Sequence, residues 1–282
     1  MKRKIKVSTL QKAITKEHNK GKSVGFVPTM GALHEGHMSL IKMAREQCDV
    51  VVCSIFVNPT QFNEKSDLKK YPRTLKQDMA MLIEEGTDYL FHPSVDEIYP
   101  DGEDISVEID LNGLDRQMEG AFRPGHFEGV VQVVHRLLDI VKPDKLFMGQ
   151  KDFQQFTIIQ NMIDQLKMPV DLVVCPIMRE EDGLAMSSRN RRLDPDIRKK
   201  AGILNKSLKW IKKNMDELTP AQASKEAINK MTIPGFKPEY VTIINGKTLK
   251  PIRSFESHDY VVVCTAVWAG EVRLIDNLIL KK

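Results

Sequence analysis

The stretch Pro28-Thr29-Met30-Gly31-Ala32-Leu33-His34-Glu35-Gly36-His37 constrains this chain more than any other segment. It follows a short apolar run, Val24 to Val27, that reads as a buried strand. It precedes Met38-Ser39-Leu40-Ile41-Lys42-Met43-Ala44, which reads as a helix. A strand, a glycine-containing turn and a helix start together suit an anion. Glycine lets the backbone approach the ligand closely, and the N–H groups of a helix start point at it. His34 and His37 can donate hydrogen bonds to phosphate oxygens as charge develops. The segment therefore reads as a site for ATP phosphates. Two other readings stand beside it, a packing pair on a helix start and a zinc site. Two nitrogens alone do not make a zinc site, and neither an HExxH pattern nor a CxxC pair is present.

The rest of the chain supplies a context for this turn. Strand-like runs at Val24–Val27, Val50–Val57, Tyr89–His92, Lys145–Met148 and Val170–Cys175 alternate with helical segments. The helices are expected at Met38–Gln47, Thr74–Glu85, Phe127–Val141 and Phe153–Leu166. Such alternation predicts a parallel sheet covered by helices, and ligands of open α/β sheets bind at the carboxyl ends of the strands. After Pro176 the character changes. A polar loop gives way to helices expected at Asp196–Asn214 and Pro220–Met231. Strands are expected at Tyr240–Ile244, Tyr260–Ala266 and Glu271–Leu280, with a hairpin turn at Trp268–Glu271. The expectation is α/β: a Rossmann-like parallel-sheet domain over 1–177 and a smaller α+β domain over 178–282.

The 282 residues suffice for these two domains. With 42 basic and 38 acidic residues spread along the chain, the charge predicts no nucleic-acid partner and is compatible with an anionic small substrate. Cys48, Cys53, Cys175 and Cys264 lie far apart and read as small buried hydrophobes of a reduced, cytoplasmic protein. No apolar run is long enough to span a bilayer, and the basic start lacks the apolar core of a signal peptide.

Four further constellations can carry chemistry. Phe56-Val57-Asn58-Pro59-Thr60-Gln61-Phe62 ends the second predicted strand in an Asn-Pro turn. The Gln61 amide there both donates and accepts, which suits a hydroxy-acid, although a lone glutamine also serves as an ordinary loop residue. Gly149-Gln150-Lys151-Asp152-Phe153-Gln154-Gln155 follows a strand and opens a helix. Asp152 fits the N-cap and Lys151 would set a point charge beside phosphates; a capped surface helix is the plainer reading. Met186-Ser187-Ser188-Arg189 offers two hydroxyls and a guanidinium for a triphosphate, or a flexible linker. Arg123-Pro124-Gly125-His126-Phe127 is either a helix-initiating turn or a turn that delivers Arg123 to an anion. Familiar nucleotide motifs are absent: Gly21-Lys22-Ser23 lacks the first glycine of a P-loop, since Lys16 stands there, and no GxGxxG follows a strand.

Taken together, these segments resemble the pantothenate synthetase family, the AMP-forming pantoate–β-alanine ligases. The blocks that carry the resemblance are PTMGALHEGH at 28–37, FVNPTQF at 56–62, YPRT at 71–74 and RPGHFEGVVQVV at 123–134. GQKDFQQ at 149–155, DGLAMSSRN at 182–190 and RLIDN at 273–277 follow in family order, so the resemblance covers nearly the whole chain.

It implies that ATP activates pantoate as an adenylate, which β-alanine then attacks to give pantothenate and AMP. It implies that Met30 to His37 line the ATP site, with His34 and His37 on the phosphates. Gly149, Gln150, Lys151 and Asp152 would contact ATP, Met178 would meet the nucleoside by backbone, and Met186 to Arg189 would close over the triphosphate. Gln61 and Gln155, with Pro28, Met30 and Arg123, would hold pantoate. Mg²⁺ would bridge phosphate oxygens and keep several waters, with Asp78 as an outer-shell ligand. The smaller domain would act as a lid, and the protein would form a homodimer. Two positions depart from the family pattern: Gln150 stands where GEKD has Glu, and Gln77 where some members carry an acid. Another nucleotidyltransferase and a binding module without turnover remain rival readings.

Overall fold

In the computed structural model the described residues are 1–62, 68–69, 71–101 and 105–282. They divide into two units. The first comprises Met1–Asp115, Arg123–Gly149 and Gln155–Pro176; the second comprises Arg116–Phe122, Gln150–Gln154 and Ile177–Lys282. The second unit thus takes in two short segments from the middle of the chain as well as its carboxyl-terminal part.

In the first unit, β1 (Lys2–Lys4), β2 (Val24–Thr29), β3 (Val50–Ile55), β4 (Tyr89–Phe91), β5 (Lys145–Gly149) and β6 (Asp171–Cys175) form one sheet. Its order is β1-β4-β3-β2-β5-β6 and every ladder is parallel. The apolar runs of β2 and β3 suit strands buried on both faces; all six residues of β3 are buried. Val27, Leu33, Ile41, Val51, Leu90 and Phe147 belong to one core cluster. The expected Rossmann-like sheet is therefore present.

Strand order reverses beside β2. From there the chain builds outward to β3 and β4 on one side, where β1 already forms the edge, and to β5 and β6 on the other. β2 pairs with β3 along its full length, but with β5 only at Gly25–Lys145 and Phe26–Leu146. The carboxyl ends of β2 and β5 are left without a shared ladder. This reversal is where open α/β sheets bind ligands, and the histidine turn leaves from the end of β2.

In the second unit, β7 (Phe236–Asn245), β8 (Val261–Ala269) and β9 (Val272–Lys281) form an antiparallel sheet in that order. Gly270 and Glu271 make the expected hairpin turn between Ala269 and Val272, and Gly270 has φ +58, a value glycine adopts without penalty. Helices Ile203–Asn214 and Pro220–Met231 cover one face through Leu204, Leu208, Ile211, Ala223, Ala227 and Met231. The second helix carries the Thr219 cap and Pro220 at its start, as its sequence predicts.

One expectation is corrected, and two elements are added to those expected. The single helix Asp196–Asn214 is two, Pro195–Lys200 and Ile203–Asn214. The break falls at Gly202, where a Cβ would lie 2.5 Å from the Asp182 carbonyl oxygen. Strand β1 and helix Val7–His18 have no counterpart in the sequence reading. β1 is Lys-Arg-Lys on a sheet edge, so it carries no apolar signal. The helix buries only Leu10, Ile14 and Glu17.

Candidate active site

The turn after β2 is held from within. Gly31 (φ +81) and Ala32 (φ +52) take left-handed backbone, and a Cβ on Gly31 would meet Ile55 at 3.0 Å and the Asp78 carboxylate at 3.2 Å. Asp78, on the helix Leu75–Glu84, is 1% exposed. Its two oxygens accept from the N–H groups of Ala32 (3.0 Å) and Leu33 (2.9 Å), and Thr74 Oγ1 donates to it as well (3.0 Å). The expectation that Asp78 serves a metal ion is not carried by this geometry, because backbone and hydroxyl donors already occupy the carboxylate. Among the described residues no group of three His, Cys, Asp or Glu side chains is arranged to hold a metal. Magnesium that arrives with a nucleotide is held by phosphate oxygens and needs no such cage.

His34 caps the helix Glu35–Gln47. Its Nδ1 accepts from Gly36 N–H at 3.1 Å, and His37 Nδ1 accepts from His34 N–H at 3.3 Å. The ring centroids are 4.1 Å apart. An Nδ1 that accepts carries no proton, so the proton of each neutral ring sits on Nε2. This corrects the view of the turn as a row of open amides. Gly31 N–H goes to Thr29 Oγ1, Ala32 and Leu33 N–H to Asp78, His34 N–H to His37, Gly36 N–H to His34, and His37 N–H to the His34 carbonyl. The donor each of these rings keeps is its Nε2–H.

Beside it, in the same unit, lies the Pro59–Gln61 turn. Gln61 Nε2 is 3.1 Å from Met30 Sδ, so two residues expected at the substrate are neighbours. Asn58 Nδ2 donates to Gln61 Oε1 (3.2 Å) and to the Gly129 carbonyl (3.2 Å), and Tyr99 Oη donates to Asn58 Oδ1 (2.7 Å). His126 Nδ1 bonds the Gln61 carbonyl at 2.8 Å. The helix His126–Val141 presses against this turn at Gly129, where a Cβ would lie 2.6 Å from the Thr60 carbonyl oxygen. Arg123 sits in the turn that initiates that helix, its carbonyl accepting from His126 N–H. Gln155, on the helix Phe153–Leu166, is half-buried.

In the second unit, Lys151 is partly sheltered, with Nζ 3.7 Å from Asp152 Oδ1. Its loop is fastened to β9. Asn277 Nδ2 donates to the carbonyls of Gln150 (2.9 Å) and Lys151 (3.0 Å), while Gln150 Nε2 donates to Asn277 Oδ1 (3.0 Å). The adjacent Asp276 takes a two-pronged contact from Arg179 (2.7 and 2.9 Å). Burial pushes its carboxyl up from the ordinary value, against the pull of Arg179. Met178 is exposed, and its carbonyl accepts from Met186 N–H. Ser187 starts the tight turn Ser188–Arg192, accepting from Arg189 N–H, and Asn190 Nδ2 ties that turn to the Ala185 carbonyl. The SSRN stretch is therefore a built turn, not a loose linker.

The sequence reading assigned Asn277 and Asp276 no role. One signal was available: an Asp-Asn pair inside the strand Arg273-Leu274-Ile275-Asp276-Asn277-Leu278-Ile279, at 2% and 1% exposure. Buried polar side chains there need partners.

A six-stranded parallel sheet with polar loops at its carboxyl edge places the chain among the Rossmann-like α/β proteins. Comparison with known proteins sharpens this. The family model described as pantoate-beta-alanine ligase matches residues 4–279. A pantothenate synthetase of Bacteroides thetaiotaomicron is 47% identical over 275 residues, 96% of each chain. One from Fervidobacterium nodosum is also 47% identical, over 95% of this chain and 96% of that one. The crystal structure of pantothenate synthetase from Thermus thermophilus superposes with a TM-score of 0.93 at 40% identity, covering 100% of both chains. That of the Francisella tularensis pantoate-beta-alanine ligase, complexed with beta-gamma ATP and beta-alanine, gives 0.82 at 36% identity over 99% and 98%. The chain belongs to the pantoate-beta-alanine ligase family, and it is a ligase of pantothenate formation.

Proposed function

We propose that this ligase joins pantoate to β-alanine in two steps driven by ATP. In the first, a pantoate carboxylate oxygen attacks the α-phosphorus of ATP. The bond from that phosphorus to the bridging oxygen breaks, and pyrophosphate leaves with the electron pair. In the second, the neutral amine of β-alanine attacks the carbonyl carbon of pantoyl adenylate. AMP leaves, the amine nitrogen loses a proton, and pantothenate remains.

The observation that carries this reading is the histidine pair, with each Nδ1 engaged as an acceptor. Two imidazoles whose proton sits on Nε2 can donate hydrogen bonds to phosphate oxygens without giving up that proton. Neither step needs a protein nucleophile; catalysis rests on orientation and charge stabilisation. Gln61, beside Met30, suits the hydroxyl and carboxylate of pantoate, with Gln155, Pro28 and Arg123 as further contacts. Lys151, Ser187, Ser188 and Arg189 supply charge and hydroxyls for the phosphates. Gly149, Gln150, Asp152, Met178 and Met186 complete the nucleotide contacts. The Francisella tularensis relative complexed with beta-gamma ATP and beta-alanine supports the choice of co-substrates. Mg²⁺ enters with ATP as part of that substrate. The reading includes a homodimer in the cytoplasm, where the four buried thiols stay reduced.

The test is pyrophosphate release from ATP and Mg²⁺ with pantoate, with and without β-alanine. The expected result is release that requires pantoate and becomes sustained, with AMP and pantothenate formed, once β-alanine is added. Folded protein that binds ATP and releases no pyrophosphate in any combination overturns the reading.

A further inference from the structure

We infer that Asn277 is a positioning residue for Lys151, acting through the backbone of the Gln150–Lys151 segment. The inference rests on the proposed contact of Lys151 with the phosphates. It starts from an assignment in which every polar group of Asn277 has a partner. The two Nδ2 hydrogens go to the carbonyls of Gln150 and Lys151, and Oδ1 accepts from Gln150 Nε2. Its own N–H donates to Asp276 Oδ1 at 2.7 Å, and its carbonyl accepts from Arg179 Nη2 at 3.3 Å. The amide orientation is fixed by chemistry: turned over, its oxygen would face two carbonyl oxygens.

Nothing about strand β9 demands this group. A buried carboxamide costs desolvation that an apolar residue avoids, and the residues two places before and after it on the strand, Ile275 and Ile279, are apolar. What the amide provides is specificity of arrangement. A satisfied buried polar network holds one geometry, and here it fixes two successive carbonyls at the residue whose side chain carries the ammonium. With those carbonyls held, the Cα–Cβ direction of Lys151 is set before any ligand arrives. The requirement is for a donor, so aspartate, nearly the same shape, cannot replace asparagine: its carboxylate would face the same two carbonyl oxygens at about 3 Å.

The experiment compares Asn277→Asp and Lys151→Ala singly and together, with circular dichroism to confirm folding. Two rates are read: pantoate-dependent pyrophosphate release, and pantothenate formation from supplied pantoyl adenylate and β-alanine. Asn277→Asp is expected to slow pyrophosphate release about 10²-fold, the scale of a misplacement of roughly 1 Å, and to change the second rate less than about 3-fold. In the Lys151→Ala background the same substitution is expected to add almost nothing, because coupled residues are not additive. Equal losses in both rates, or effects that multiply, overturn the inference and leave Asn277 a structural residue. If Lys151→Ala alone leaves pyrophosphate release intact, the phosphate role of Lys151 fails instead, and the inference falls with it. Should Asn277→Asp not fold, Asn277→Ala, which removes both donors and adds no charge, is measured in the same cycle and decides by the same criteria.

Discussion

The loop after β2 and the loop after β5 are fastened by opposite chemistry. In the first, a buried carboxylate, Asp78, collects two backbone N–H groups from 46 and 45 residues away. In the second, a buried carboxamide, Asn277, collects two backbone carbonyls from 127 and 126 residues away. Both anchors are 1% exposed. A carboxylate anchor uses up amide donors, so under the proposed function the first loop meets phosphate through imidazoles instead of backbone. A carboxylate anchor on the second loop would set its oxygens against two carbonyl oxygens, whereas an amide donates to both. The difference teaches that each anchor is matched to what its loop must present.

The largest effect is expected where the first loop presents its donors. His37→Ala should lower turnover roughly 10²–10³-fold while ATP affinity changes little, since a contact that strengthens as charge develops acts on the transition state. Steady-state kinetics beside calorimetric ATP titration separates the two, and unchanged turnover would remove His37 from the chemistry.

Next comes the anchor itself. Asp78→Ala leaves the N–H groups of Ala32 and Leu33 buried without an acceptor, at about 1–3 kcal/mol for each such group. Asp78→Asn keeps one acceptor and should lie between. Urea denaturation reads both, and a midpoint that stays at the parent value for Asp78→Ala would break the comparison between the loops.

A third mode of fastening, by shape, predicts a smaller change. At Gly129 the helix His126–Val141 lies against the Thr60 carbonyl, so Gly129→Ala must push the Pro59–Gln61 turn away. Overpacking of this kind costs about 1–3 kcal/mol. The displaced Gln61 should raise the pantoate requirement while ATP binding survives; a defect confined to ATP would contradict the placement of Gln61.

What could be read from the sequence follows from how local each signal is. The strands Val24–Thr29 and Val50–Ile55 announce themselves as apolar runs, and the histidine turn as a change of period with glycine between. Gln61 and Lys151 stand at strand ends, where a parallel sheet exposes its loops. The partners of the anchors did not announce themselves. Asp78 sits on an ordinary helix pattern, and its partners lie more than forty residues upstream. Asn277 pairs with a segment far back in the chain, a distance no periodicity spans. At the Gly202 break the Asp182 carbonyl passes close by, again a long-range fact. β1 was silent because an exposed edge strand of Lys-Arg-Lys needs only its backbone to pair.

Asp182 offers the finest test, because it repeats the chemistry of Asp78 at the surface. Its Oδ1 accepts from Leu184 N–H at 3.1 Å and its Oδ2 from Arg198, but both side chains are about a third exposed. Burial works against ionisation, yet the Arg198 guanidinium and the Leu184 N–H hold the Asp182 carboxyl below its ordinary value. A carboxylate lowered on folding adds stability that is fully present above its unfolded value of about 3.9 and is lost as pH falls through the folded value. Solvent screening limits the Arg198 share to under about 1 kcal/mol. Arg198→Met, which keeps the aliphatic stem, should therefore be slightly less stable than the parent at pH 7, and the gap should close in acid once Asp182 is protonated. A gap of the same size at pH 7 and at pH 2 would mean that packing, not charge, supports this loop. The contrast with Asp78 would then be one of chemistry as well as of burial.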